Sequence, residues 1–122
     1  MIKYYPAPDI EERAKHIASR TGIAHDFSRV RFMRSKGSQA RRTLARCHAL
    51  PRIMQAALGV KAHYVIEMIS EEFDKMSDEE QTKTLIHELM HIPKSMGGGF
   101  RQHDYVCKRN IDDIYRRYKA AA

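Results

Sequence analysis

From Asp9 to Gly22 the apolar positions recur at helical spacing. Ile10, Ala14, Ile17 and Ala18 fall on one face, Asp9 with Glu12 can cap the start, and Gly22 supplies an exit. Near Arg29 the period changes to two. Val30 and Phe32 alternate with Arg29, Arg31 and Met33 up to about Arg34, which predicts a half-buried strand. Ser35-Lys36-Gly37-Ser38 reads as a turn, and a second alternating stretch runs from about Arg42 to Ala49. There Thr43, Ala45, Cys47 and Ala49 oppose Arg42, Leu44, Arg46 and His48. Pro51 opens a short helical connection through Ala57 that Gly59 ends, and Ala62 to Ile69 is the most apolar strand candidate. An acidic loop follows. Ser77 and Glu80 then form a capping box ahead of the stripe Leu85, Ile86, Leu89 and Met90, and Pro93 stops that helix just after Ile92. A last helix is expected to open at His103, with an inward stripe of His103, Cys107, Ile111, Ile114 and Tyr118. The pattern predicts one α+β domain over residues 1–122. Its small, mostly antiparallel three-stranded sheet is joined by an N-terminal helix, a helix near residues 78–92 and a C-terminal helix.

The helix near residues 78–92 carries His87-Glu88-Leu89-Met90-His91, an HExxH pentad. Residues four apart share a helix face, so both imidazoles can address one ion, while Glu88 stands beside them as a general base for a metal-activated water. The spacing points to a metal-dependent hydrolase, most often a peptidase. A catalytic zinc usually takes three protein ligands, and elimination narrows the third. No glutamate follows Glu88, and position 97, where a short HExxHxxGxxH pattern would need histidine, is Gly97. Of the remaining donors His103 is the best, with Asp104 as the alternative, either as ligand or as a partner orienting a histidine. Gly97-Gly98-Gly99 gives the flexible return that would bring His103 back beside His91. One zinc per chain is expected, on His87, His91 and His103.

Length and charge add a frame. At 122 residues there is room for a modest core, and no apolar run approaches membrane-spanning length. The first residues lack the apolar stretch of a signal peptide, and Cys47 and Cys107 form no CxxC pair. A cytoplasmic location with two reduced thiols is therefore expected. Residues 27–66 hold nine Lys and Arg and no acid, while residues 67–80 hold seven acids against Lys75. A hairpin of the first two strands with Arg29, Arg31, Arg42 and Arg46 on it could contact nucleic acid through its phosphates. The same hairpin could instead neutralise the acidic loop. No signature of sequence-specific reading accompanies it. The pattern leaves the oligomeric state open.

Leu50-Pro51-Arg52-Ile53, Tyr64-Val65-Ile66-Glu67, Phe73-Asp74-Lys75 and Leu85-Ile86-His87-Glu88-Leu89-Met90-His91-Ile92-Pro93, with the glycines before His103, resemble a metallopeptidase family found in archaea and phages. More distantly the arrangement is similar to SprT and Spartan-type proteases, which also place a third histidine beyond the pentad. The resemblance implies a compact zincin-like fold and a zinc-dependent peptidase acting on protein or peptide. Tyr105, Tyr115, Tyr118 and Arg101 are candidates for stabilising the reaction's oxyanion, and substrate is expected to add to an edge strand. Two other classes stand beside this: a metal-dependent nuclease, which the presence of Glu88 disfavours, and a metal-bound module without catalysis that binds nucleic acid or protein.

Overall fold

The computed structural model describes residues 1–39, 43–103 and 105–121. In chain order these form β1 (Lys3–Pro6), α1 (Pro8–Thr21), a single 3-10 turn (Phe27–Arg29), β2 (Val30–Lys36), β3 (Ala45–Ala49), α2 (Arg52–Leu58), β4 (Tyr64–Ile69), α3 (Ser70–Phe73), α4 (Asp78–His91) and α5 (Lys108–Ala120). The fold is α+β, as the periodicities predict, but the sheet is four-stranded and mixed. Its order is β1-β2-β4-β3, with β1 antiparallel to β2, β2 parallel to β4 and β3 antiparallel to β4.

Two corrections to the expected three-stranded, mostly antiparallel sheet have physical causes. β4 is buried along almost its whole length, so it takes a central position where neighbours cover both its edges and faces. This places β4 between β2 and β3, and the expected arginine-bearing hairpin of β2 with β3 does not form. β1, Lys-Tyr-Tyr-Pro, is exposed throughout and has no apolar period to betray it. It is a strand because the free edge of β2 offers it partners, and its terminal Pro6 suits an edge.

One face of the sheet, from Val30, Phe32, Tyr64, Ile66 and Met68, joins a core with Ile10, Ala14 and Ile17 of α1, Leu85, Ile86 and Leu89 of α4, and Ile111 and Ile114 of α5. Helix ends follow their local signals. Gly22 adopts φ 79° as the left-handed C-cap of α1. The start of α1 departs from the expected acidic cap: Ala7 is the N-cap, and Pro8 opens the helix with its preset φ. The Ser77 hydroxyl oxygen accepts from the Glu80 N–H at 3.2 Å, and Ile92-Pro93 ends α4.

Candidate metal centre and its cleft

The last turn of α4 sets His87 and His91 on one face, with ring centroids 4.9 Å apart and Nε2 atoms 3.2 Å apart. Two imidazole nitrogens on a tetrahedral ion at about 2.0–2.1 Å would be about 3.3 Å apart, so this pair is already spaced for one. His103 approaches to 5.0 Å from His91 and 5.8 Å from His87, centroid to centroid. One nitrogen from each of the three lies within 4.8 Å of the others, so the group could hold a metal ion.

His103 reaches this position from a loop, which corrects the expected helix start. α5 begins five residues later, at Lys108. The intervening chain folds into tight turns, with the N–H groups of Tyr105 and Val106 both donating to the Gln102 carbonyl, and Val106 is the side chain that enters the core. His103 is exposed rather than part of a buried stripe. Asp104, the alternative donor, lies outside the described residues.

The return segment is fastened to α4 twice. The Arg101 N–H donates to the His91 carbonyl at 2.8 Å, and His91 Nδ1 bonds the Arg101 carbonyl at 2.8 Å. A carbonyl can only accept, so His91 carries its proton on Nδ1 and keeps the Nε2 lone pair for an ion. Burial, then the neighbouring charges of His91 and His103, holds His87 below the ordinary imidazole range, which favours the neutral ring that ligates.

A residue without a motif to mark it completes the support. Tyr64, fully buried at the start of β4, donates its hydroxyl to the Gly99 carbonyl at 2.9 Å and accepts from the Gly98 N–H at 2.9 Å. A buried tyrosine must find a partner for its hydroxyl. A tyrosine opening the most apolar strand, in a chain with a glycine triplet, was the available signal. Gly98 itself has φ 101°, a conformation that a side chain would strain.

Glu88 points into the cleft between α4 and β3 and is only 5% exposed. Burial pushes its carboxyl up to about 7, and burial is the sole cause of that shift. Two cavities meet at this residue. One, of about 540 Å³, runs past His87 between Leu44, Ala45, Val106 and Ile111; the other, of about 440 Å³, runs past His91 between Cys47, His48, Phe100 and Arg101. Both volumes lie within the roughly 300–1,000 Å³ usual for ligand pockets. Cys47 and Cys107 are free thiols, and burial, then the Glu88 charge, pushes Cys47 up to about 12, which makes it a packing group.

The other candidates separate. Arg101 lines the second cavity, its guanidinium 3.3 Å from the centroid of the Tyr105 ring. Tyr118 is turned toward α1, bonding His16 Nδ1 at 2.9 Å, and the Tyr115 ring sits under the Lys83 ammonium. Of the four arginines, Arg29 donates to the Met96 carbonyl and Arg46 lies 3.8 Å from the buried Glu67 carboxylate. Arg31 is exposed, and Arg42 lies outside the described residues. No described helix is long and apolar enough to cross a membrane.

Compared with known proteins, residues 2–122 match the model of a family described as putative phage metallopeptidase. No curated protein and no solved structure matches the chain.

Proposed function

Because this chain belongs to the phage metallopeptidase family, we propose that it is a zinc-dependent peptidase that hydrolyses peptide bonds of a protein substrate with Glu88 as general base. The observation that carries the reading is the convergence of His87, His91 and His103 beside the buried Glu88, in a cleft bounded by an edge strand. One zinc ion on the three histidines would supply Lewis acidity and lower the pKa of water to about 7. The chain supplies the rest. The Arg101 carbonyl orients His91 through its Nδ1 proton. Burial raises the Glu88 carboxyl to about 7, which makes its carboxylate a stronger base near neutral pH, matched to taking a proton from the attacking water and passing it to the leaving amine. Arg101 lines the cavity that His91 and Glu88 share and is the cation we assign to the developing oxyanion. Among the described residues β3 pairs with β4 alone, so its other edge offers main-chain groups to an extended substrate.

Family membership and Glu88 favour this reading over a nuclease or a non-catalytic module. The test is cleavage of casein by the zinc-loaded protein. Glu88→Gln should retain zinc and lose turnover by about 10²–10⁴-fold. His103→Ala should lower zinc occupancy. Undiminished cleavage by Glu88→Gln sinks the general-base assignment, and full zinc stoichiometry in His103→Ala moves the third ligand elsewhere.

A further inference from the structure

α2 has inverted amphipathicity. Its least exposed residue is Gln55, the only one of the seven that is partly buried rather than exposed. The Gln55 side chain donates to the Leu50 carbonyl at 3.0 Å, and its amide nitrogen lies 3.0 Å from where a Cβ on Gly98 would stand. Ile53 is 78% exposed, Leu58 60% and Met54 43%, with Val60 just beyond at 41%. Met54 and Leu58 stand four apart and so neighbour each other on the helix, and Ala57, four from Ile53 and three from Met54, joins Ile53 to them. A helix this short gains little from its own hydrogen bonds, and helices in proteins ordinarily owe their stability to a packed apolar face. Here the apolar face meets water while an amide holds the body. Contiguous apolar surface of this kind marks an interaction site.

The surroundings identify the occupant. β3, the free edge beside α4, leads through Leu50 and Pro51 directly into α2. On the other side the return segment touches α2 through Gln55 and Gly98. It carries Phe100, 42% exposed, which packs against Tyr64 and lines the cavity shared with Glu88 and His91. The patch therefore continues from the metal cleft. The exposed charge on the helix flanks is positive: Arg52 and Lys61 bracket it, and residues 27–66 contain no carboxylate.

We propose that α2, with Val60 and Phe100, is a docking surface for an apolar, acid-flanked segment of the polypeptide substrate, lying beyond the residues at the scissile bond. The proposal rests on the peptidase reading for the identity of its occupant. β3 leads through Leu50 and Pro51 into α2, so a chain extended along β3 is directed toward this surface, where its apolar side chains cover Ile53, Met54 and Leu58 while its acids meet Arg52 and Lys61. The surface selects polypeptides by a region that is not cut.

The test uses the full chain carrying Glu88→Gln and loaded with zinc, and reads its binding to fluorescein-labelled casein by fluorescence anisotropy. Adding Ile53→Glu and Leu58→Glu should weaken binding by about tenfold or more, as loss of an apolar anchor does. Both side chains are exposed, so zinc stoichiometry and the thermal midpoint should not move. Equal casein binding with and without the two substitutions overturns the proposal. So does flotation with phosphatidylserine-containing vesicles that casein fails to displace, or a dimer in sedimentation velocity that the two substitutions disperse. If the parent chain with Glu88 cleaves nothing while the binding contrast persists, the peptidase reading fails and the docking surface stands.

Discussion

Tyr64→Phe removes one oxygen, and its consequence should appear at the zinc site, although Tyr64 is no ligand. The hydroxyl bridges two backbone groups of the return segment, the Gly98 N–H and the Gly99 carbonyl, each at 2.9 Å. Phenylalanine keeps the ring in the core and its edge contact with Phe100, so packing is preserved. Each hydrogen bond contributes about 0.5–1.5 kcal/mol net, and a donor left buried without a partner costs about 1–3 kcal/mol. Gly99 is exposed, so its carbonyl can turn to water, whereas Gly98 is half-buried and its N–H is the group stranded. The expected loss is therefore about 1–2 kcal/mol, a factor of roughly 5–30 in an equilibrium constant. Because this segment carries Arg101 and His103, loosening it means that zinc binding must itself order the segment. The zinc dissociation constant, measured by competition with a chelating dye, should rise by about that factor, with a small drop in the melting temperature of the metal-free protein. A zinc affinity within about twofold of wild type would refute the reasoning, since it would mean the ligand loop is held without the tyrosine.

Gly98→Ala should destabilise by about 1–2 kcal/mol, because φ 101° strains any side chain; the neighbouring Gln55 amide, at the end of a flexible chain, can move aside. A melting temperature unchanged by this substitution would show that the backbone relaxes there freely. Glu67 offers a pH test. Burial pushes its carboxyl up, but hydrogen bonds from Ser35 at 2.6 Å and His48 at 2.8 Å, with the charges of His48 and Arg46, outweigh burial and leave it below the ordinary value. A carboxyl lowered by folding stabilises fully above its unfolded pKa of about 4.3, and that contribution is lost as the pH falls through its folded value. Ser35→Ala should therefore move the acid-unfolding midpoint upward; a midpoint unmoved or lowered would mean the Ser35 bond does not hold the carboxylate charged.

α1, α2, α4 and the pentad were legible because their signals are local, whereas the acidic segment read as a loop contains the short helix α3 and α5 opens later than expected. Ser77 caps α4, Pro93 follows its end, and His87 and His91 meet because a helix brings every fourth residue to one face. Gly22 and Gly59 end their helices with positive φ where each marks an exit. Sheet order carries no such local mark. Strand pairing joins residues far apart in sequence, so only the packed chain decides that β4 stands between β2 and β3 and that an exposed Lys-Tyr-Tyr-Pro becomes an edge strand. The same holds for His103. Its chemistry named it as a ligand candidate, but a helix stripe was the wrong vehicle. Its place beside His87 and His91 comes from Val106 in the core, the backbone bonds between Arg101 and His91, and Tyr64 beneath the glycines. Residues within one or two helical turns thus specify the pair of histidines and the base. The third histidine and the two cavities at Glu88 depend on contacts that exist only once the sheet and helices have packed.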